Sequence, residues 1–280
     1  MQNLTLPAPA KLNLFLHITG RREDGYHLLQ TLFQFLDYCD EISLSLRSDG
    51  EIHRTNDVEG VAEQNDLVIK AAKLLQQKTN SPLGVDITVI KKLPMGGGLG
   101  GGSSDAATVL QGLNKLWGCQ LSDNELAELG LQLGADVPIF VHGHAAWAEG
   151  VGEQIEAVDL PEPWFVVVRP DVHISTAEIF SDQGLTRNCK PIKISHFLAG
   201  QSINVFEPLV RKKYTEVDDA LNWLSQFAES RLTGSGSCIF ASFSNKNEAL
   251  NVLEQLPEKW QGFVAKGKCI SPLKVILKRV

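Results

Sequence analysis

The segment Pro94–Ser104 reads Pro-Met-Gly-Gly-Gly-Leu-Gly-Gly-Gly-Ser-Ser, and six of its eleven residues are glycine. An apolar run rich in β-branched residues precedes this segment at positions 85–90, and a strongly helical run follows it. A strand, a glycine loop and a helix start in this order are typical of phosphate sites. Glycine peptides let a ligand approach closely, and the first amides of a helix lack intrahelical partners. The segment therefore predicts a phosphate-binding loop.

The glycine loop also has weaker interpretations. Glycine runs occur as flexible linkers, although a linker rarely stands between a buried strand and an amphipathic helix. Gly96, Gly98 and Gly101 fit G-x-G-x-x-G, which is a weak signal alone, and no lysine follows the glycines as it does in a P-loop. If the loop holds a nucleoside triphosphate, we expect a basic group from elsewhere in the chain.

Composition and charge narrow the class of protein. The 280 residues suffice for one large domain or two smaller ones, and 43% of them are hydrophobic. The net charge of −7 argues against a broad nucleic-acid surface. No apolar run approaches the ~20 residues of a membrane span. Five cysteines without a C-x-x-C pair favour reduced cytoplasm over a disulfide framework or a zinc site.

Two polar positions near the start could belong to a site. Apolar and polar residues alternate from Leu12 to Ile18, which predicts a half-buried strand. Lys11 and Asn13 would then share one face. Lys11 is either a solvated charge at the strand edge or a functional group, and the pattern alone favours the solvated charge.

A charged turn bounded by Gly20 and Gly25 ends at Tyr26 and His27. An aromatic ring and an imidazole beside a turn can clamp a flat ligand by stacking and hydrogen bonding. A tyrosine at the rim of the core beside a solvated histidine is the commoner arrangement, so pattern alone leaves the clamp as the alternative.

Three acidic or hydroxyl positions follow later in the chain. Ser104 and Asp105 could cap the helix after the glycines or reach a magnesium ion bound to phosphates. Asp136 stands between a helix C-terminus and an apolar stretch, where the negative end of the helix dipole would face it. Asp136 is either a turn former or a catalytic base with a positive partner, for which Lys11 is one candidate.

The distribution of elements favours an α+β protein. The first half contains pairs of predicted strands, which indicate an antiparallel or mixed sheet. One of these strands covers Ile42–Leu46 and is predicted to be separate from the apolar run Leu28–Leu36. Strands and helices of the second half suggest a split β-α-β sandwich. A composition shift near residues 159–163 predicts an N-terminal nucleotide-binding and catalytic domain over 1–158 and a C-terminal domain over 159–280.

Three segments resemble, in order, the motifs of the GHMP family of small-molecule kinases: Pro7–Leu14, Pro94–Ser104 and Leu232–Ser237. Further strings narrow the resemblance to members that act on cytidine-diphosphate methylerythritol: Ala10–Leu14, Asp24–His27 and Leu133–Pro138. The resemblance implies a two-domain GHMP kinase fold of the α+β class, with an N-terminal mixed-sheet domain and a C-terminal split β-α-β-like domain.

The resemblance also implies site residues. Lys11 and Asp136 match the catalytic pair, and Ser104 is the candidate magnesium ligand. The ATP-binding residues would be Pro94, Met95, Gly96, Gly97, Gly98, Leu99, Gly100, Gly101, Gly102, Ser103 and Ser104. The substrate-binding residues would be Asn13, Tyr26, His27 and Phe180. Positions 65–67 loosely match adenine-side contacts, and residues 183–201 match no motif.

The implied activity is phosphoryl transfer to a hindered hydroxyl of the cytidine-diphosphate methylerythritol, with ATP and Mg²⁺ as cofactors. The expected protein is a cytoplasmic monomer or weak homodimer that binds neither nucleic acid nor membrane. Tyr26 and His27 argue against a related kinase for mevalonate-like or amino-alcohol substrates, which need no ring clamp. Lys11 and Asp136 together argue against a regulator without chemistry. A Rossmann dehydrogenase would carry its glycine turn after the first strand.

Overall fold

A computed structural model describes residues 3–23, 25, 27–198, 200 and 203–279, and these ranges contain ten strands and ten α-helices. The strands are β1 (Asn3–Arg21), β2 (His27–Arg47), β3 (Ile52–Arg54), β4 (Gly84–Ile90), β5 (Ala146–Gly150), β6 (Gln154–Ala157), β7 (Trp164–Arg169), β8 (Ser230–Leu232), β9 (Ile239–Phe243) and β10 (Gln261–Lys268). The helices are α1 (Leu67–Thr79), α2 (Gly101–Leu116), α3 (Asp123–Leu131), α4 (Val137–His142), α5 (Thr176–Ser181), α6 (Ile194–Leu198), α7 (Glu207–Lys213), α8 (Thr215–Leu224), α9 (Lys246–Leu253) and α10 (Pro272–Leu277).

Strand β2 pairs along both of its edges. β1 runs antiparallel along one edge, and β5, β10 and β4 follow one another along the other edge. The prediction of a separate strand over Ile42–Leu46 was therefore wrong, because it continues the run Leu28–Leu36. The polar residues between the two apolar runs are compatible with a continuous strand. Asp40, for example, accepts a hydrogen bond from the Leu93 amide at 2.7 Å.

Strand β1 is buried on both faces over residues 8–17, not half-buried as the alternation predicts. It contributes to three hydrophobic cores: Ala8 to that of the N-terminal half, Phe15 to a central one, and Ile18 to that of the C-terminal half. Register shifts at Pro9/Lys11, Asn13/Phe15 and Ile18/Gly20 interrupt the pairing with β2. A bulge changes which face each following side chain occupies, so strict alternation does not report burial here.

The strand order confirms the α+β class and both sheet predictions. The N-terminal part is mixed, because β3 and β4 are parallel whereas β2 pairs antiparallel with β1, β4 and β5. In the C-terminal part the order is β10-β7-β9-β8, with antiparallel neighbours. Helices precede β8, and α9 separates β9 from β10. This order is that of a split β-α-β sandwich.

The start of α2 differs from the prediction. Gly100 is its N-cap residue, with φ of +74°, and the Ser104 amide donates to the Gly100 carbonyl at 2.8 Å. Ser103 and Ser104 therefore lie in the first helical turn and do not cap it, because glycine allows the chain to enter the helix from a left-handed conformation. Asp66 caps α1 and accepts a hydrogen bond from the Val68 amide at 3.1 Å.

The predicted division after residue 158 falls between β6 and β7, and it stays a prediction. β10 pairs with both β2 and β7, so the sheet is continuous across it. Within the described ranges, no helix is both long enough and apolar enough to cross a membrane. All five cysteines are free thiols.

Gly112 determines how closely α2 approaches the sheet. A Cβ atom there would lie 2.5 Å from Leu44 Cδ1 and 2.8 Å from Leu6 Cδ1. We expect Gly112→Ala to lower the free energy of unfolding by about 1–3 kcal/mol through overpacking, despite the better helix propensity of alanine. Chemical denaturation measures the change. Gly102→Ala on the same helix is the control, because its Cβ would lie 3.5 Å from Leu67; equal stability of the two variants would contradict the prediction.

Candidate active site

The three segments that resemble kinase motifs meet at one cleft of about 680 Å³. β1 supplies Lys11 and Asn13 to its wall, the glycine loop crosses it, and Gly234 and Ser235 close one side. The start of α1, the turn before α4, and α5 also contribute to the lining. The three motif segments are at least 80 residues apart along the chain, so only the fold brings them together.

Lys11 and Asp136 form an ion pair in this cleft, with Lys11 Nζ 3.2 Å from Asp136 Oδ2. The lysine side chain is only 3% exposed, whereas the aspartate is 38% exposed. Lys11 is thus not the solvated charge that the local pattern favours. Its ammonium also lies 5.2 Å from the centroid of the Phe33 ring, within the range of a cation–π contact.

Asn13 holds the Lys11 ammonium in place. Its Oδ1 accepts from Lys11 Nζ at 2.5 Å, and its Nδ2 donates to Thr31 Oγ1 at 2.9 Å. Thr31 Oγ1 donates in turn to the Phe15 carbonyl. A lysine ammonium has three N–H donors. Among the described residues, Asn13 and Asp136 are its polar partners, which leaves one donor for a ligand.

Asp136 occupies the N-cap position of α4, with a side chain that makes no capping hydrogen bond. The expectation that a negative helix end faces it was wrong. α3 ends at Leu131, a turn intervenes, and α4 begins at Val137 directly after the aspartate. The carboxylate is therefore beside the N-terminal end of a helix, where the positive end of the helix dipole favours negative charge.

The glycine loop is fixed by the other two motifs. The Leu99 carbonyl accepts from the Lys11 amide at 3.0 Å, and the Gly97 carbonyl accepts from the Cys238 amide at 3.1 Å. Gly98 has φ of +76°, and a Cβ atom there would lie 2.2 Å from the Thr233 carbonyl oxygen. The loop is thus a packed element of the cleft, which excludes the linker interpretation for this segment.

Lys91 is the cationic residue that the sequence analysis missed. It follows β4 directly, lines the cleft, and pairs with Asp40 and, at 2.7 Å, with Asp105. Its Nζ lies 3.4 Å from where a Cβ of Gly101 would be, beside the first turn of α2. Burial raises the pKa of Asp105 to about 7; Asp40 adds to this rise and Lys91 opposes it. Two lysines between a strand and the glycine loop were the signal available in the sequence.

The predicted magnesium ligand is placed unfavourably. Ser104 is fully buried and does not line the cleft, whereas its neighbours Ser103 and Asp105 do. Ser104 Oγ has no hydrogen-bond partner among the described residues. In the same ranges, no group of three or more histidine, cysteine, aspartate or glutamate side chains could hold a metal ion.

Part of the predicted ring clamp lies within the residues that the structure describes. Tyr26 lies outside the described residues. His27 and Phe180 are in direct contact, with ring centroids 5.0 Å apart and planes inclined by 33°. Phe180 lines the cleft and packs edge-on against Phe206. Because His27 and Phe180 touch, a flat ligand would lie against the pair and not between its two rings.

Further lining residues come from the loop before α1 and from the start of this helix. Asn65, Asp66 and Leu67, which loosely match adenine-side contacts, line the cleft. The cleft lining also includes Val58 and Val61, two apolar residues that the sequence analysis did not identify, as well as Met95 of the predicted ATP-binding loop. Val58 and Val61 lie in a loop without periodicity, so no pattern marked them.

Comparison with known proteins identifies related chains. Residues 66–144 match the N-terminal domain model of the GHMP kinases, and residues 185–262 match their C-terminal model. The 4-diphosphocytidyl-2-C-methyl-D-erythritol kinase of Nitrosococcus oceani is 59% identical over 264 residues, which cover 94% of each chain. The enzyme of the same name from Pseudomonas aeruginosa is 56% identical over 270 residues, which cover 96% of each chain.

Comparison with solved structures gives the same family as comparison with these relatives. A crystal structure of 4-(cytidine 5'-diphospho)-2C-methyl-D-erythritol kinase aligns with a TM-score of 0.83 and 30% identity, over 94% of this chain and 99% of that one. The mevalonate kinase of Methanococcus jannaschii aligns with a TM-score of 0.70 over 96% of this chain and 99% of its own. At 17% identity, the second match concerns the fold alone.

Two glycine variants separate the energetic cost of crowding between Gly98 and Thr233 from the cost of a left-handed backbone conformation. We expect Gly98→Ala to destabilise the protein more than Gly118→Ala, by about 1–3 kcal/mol. Both glycines have positive φ, but a Cβ at Gly118 would meet nothing within 4 Å. Urea denaturation of the two variants gives the difference. Equal losses would mean that the loop can move away from Thr233.

Proposed function

Because the chain belongs to the GHMP kinases, and within them to the 4-diphosphocytidyl-2-C-methyl-D-erythritol kinases, we propose that its Lys11–Asp136 pair carries out the transfer of a phosphoryl group to 4-diphosphocytidyl-2-C-methyl-D-erythritol. The chain is an ATP-dependent kinase of non-mevalonate isoprenoid precursor biosynthesis, and it phosphorylates the 2-hydroxyl of its substrate. The observation that carries the residue assignment is the buried ammonium 3.2 Å from a carboxylate, in a cleft crossed by the glycine loop.

Asp136 is proposed to accept the proton of the acceptor hydroxyl. Lys11 engages Oδ2, which leaves Oδ1 for the hydroxyl group. An alcohol is a weak acid, so this hydrogen bond serves chiefly to align the nucleophile and to receive its proton late in the transfer. The ion pair with Lys11 would orient the carboxylate, and the remaining N–H of Lys11 can stabilise charge on the moving phosphoryl group.

The glycine loop is proposed to hold the phosphates of ATP, which supplies the phosphoryl group. The amides that open α2 lack intrahelical partners and can donate to phosphate oxygens. Lys91 adds positive charge beside Gly101, where a P-loop lysine is absent. The apolar residues Val58, Val61 and Met95 would border the adenine ring beside Asn65.

Mg²⁺ is proposed as the divalent ion. It commonly keeps several waters and binds phosphate oxygens through few protein ligands. The cleft suits this mode, because Ser103 and Asp105 offer hard oxygen donors near the glycine loop. Ser104 remains a weaker candidate, since its buried Oγ lies in a residue that does not line the cleft. The ion would neutralise charge on the triphosphate.

The cytosine end of the substrate is proposed to lie against His27 and Phe180, with Tyr26 as a further contact, while Asn13 lies near the reacting hydroxyl. The contact between His27 and Phe180, and the position of Phe180 in the cleft lining, support this orientation. We also propose a monomer or weak homodimer in the cytoplasm, for which the free cysteines are consistent with a reducing compartment.

We expect the purified protein to form ADP and a substrate monophosphate from ATP, Mg²⁺ and 4-diphosphocytidyl-2-C-methyl-D-erythritol. A coupled assay for ADP and mass analysis of the product measure the reaction. Mevalonate and homoserine are the comparison substrates, because kinases for both share the fold. Turnover of either in preference to the cytidine compound would contradict the assignment of substrate.

We expect Asp136→Asn to reduce kcat by about 10²–10⁴-fold, the usual contribution of a positioned general base. Nucleotide affinity should be unchanged, because Asp136 is assigned to the acceptor side. Asp159→Asn is the matched control, since that side chain is 96% exposed. Steady-state kinetics and nucleotide titration separate the two effects. A kcat within a few-fold of wild type would mean that Asp136 is not the base.

A further inference from the structure

Arg187 is the centre of a hydrogen-bond cluster beside the proposed cytosine site. It lies in the segment 183–193, which joins α5 to α6 and matches no motif. Its Nη2 donates to the carbonyls of Phe180 and Asp182, each at 2.7 Å, and its Nη1 donates to the Leu185 carbonyl at 3.1 Å. Its Nε donates to His27 Nε2 at 3.1 Å. One guanidinium therefore binds both the histidine and the backbone of its stacking partner.

The hydrogen bond from Arg187 determines the protonation of His27. A guanidinium has only N–H donors and keeps its charge in proteins. Nε2 of His27 must therefore act as the acceptor, and the single proton of a neutral imidazole is then on Nδ1. Nδ1 has no hydrogen-bond partner among the described residues, so it is the nitrogen that remains for a ligand.

The surroundings also keep His27 neutral. Burial lowers its pKa, and the positive charges of Arg187 and Arg21 lower it further. Arg187 faces the imidazole from the α5–α6 segment, and Arg21 acts from the end of β1. Phe180 covers the ring from α5. Protonation would place an Nε2–H against the Arg187 N–H, so the cationic form loses this hydrogen bond.

We propose that Arg187 is a positioning residue that holds His27 as the neutral Nδ1–H tautomer, so that the imidazole donates a hydrogen bond to the pyrimidine of the substrate. Cytosine suits such a donor, because O2 and N3 on its pairing edge are both acceptors. By binding the Phe180 carbonyl as well, Arg187 fixes the hydrogen-bonding ring and the stacking ring relative to each other. The inference rests on the proposed placement of the base against these two rings.

Nitrogen NMR of the protein labelled at histidine tests the tautomer without substrate or turnover. The spectrum of His27→Gln identifies the His27 signals. We expect Nδ1 to have the chemical shift of a protonated nitrogen and Nε2 that of an unprotonated one. In Arg187→Met, this preference should be lost and the pKa of His27 should rise, because a neighbouring positive charge is removed. Protonation of Nε2 in the neutral wild-type ring would overturn the proposal.

Kinetics test whether the tautomer serves recognition. We expect Arg187→Met to raise KM for the cytidine substrate about tenfold, the equivalent of one good hydrogen bond, with kcat and KM for ATP within about twofold of wild type. On acidification, KM for the cytidine substrate should rise in wild type, because an Nε2–H would oppose the Arg187 N–H, and it should not rise in Arg187→Met, whose imidazolium meets no guanidinium and still carries Nδ1–H.

A double-mutant cycle separates this role from bracing of the α5–α6 segment. In a His27→Ala background, Arg187→Met should have no further effect on KM for the cytidine substrate. An equal rise in KM in both backgrounds would mean that Arg187 acts only through the carbonyls that it binds, and would overturn the proposal. Turnover of Asp136→Asn tests the proposed catalytic pair separately, so the two failures are distinguishable.

Discussion

The arrangement of the cleft depends on burying one ammonium group. Burying an unpaired charge away from water costs several kcal/mol of free energy, so the Lys11 ammonium needs polar partners in place of the water it loses. Asn13 and Asp136 supply them, and Thr31 fixes the amide of Asn13 in turn. The register shift in β1 between Pro9 and Lys11 occurs where this side chain turns into the cleft. The Lys11 backbone, through its amide, also holds the glycine loop at Leu99. One residue thereby links the Asp136 carboxylate to the glycine loop.

The glycines of the loop have different physical roles. Gly98 allows the loop to touch the backbone at Thr233, and Gly100 allows the left-handed turn into α2 beside Phe140 and Lys11. Neither role requires flexibility. Each glycine permits a close contact that a Cβ would prevent, and the result is a fixed row of backbone groups. In the proposed function, such a preorganised loop would not have to be ordered when the triphosphate binds.

Local features of this chain could be predicted from the sequence, whereas features set by distant contacts could not. The Asp66 cap and the Ser122 capping box depend only on residues within three positions, so the local sequence is sufficient to place both. The burial of Lys11 and the continuity of β2 depend on strands and helices far along the chain, so local patterns gave the wrong result. Lys91 looked like an ordinary strand-end lysine until Asp40 and Asp105 were brought beside it. The kinase motifs identified the chain segments that form the site. Only the structure shows that Asp136 lies beside the N-terminal end of a helix, because α4 begins directly after it.

The pairing of β2 along both edges has a mechanical consequence. β1 and β2 extend through both halves of the molecule as one antiparallel ladder, and β10 joins the same sheet from the C-terminal half. A hinge between the halves would have to break the pairing of β10 with Phe35 and Leu36 of β2 and to disturb β1, which packs in the cores of both halves. The two walls of the cleft therefore share one strand, and its contacts on both sides oppose a change in the distance between the walls. Shielding of the reaction from water then falls to the short segments at the rim of the cleft.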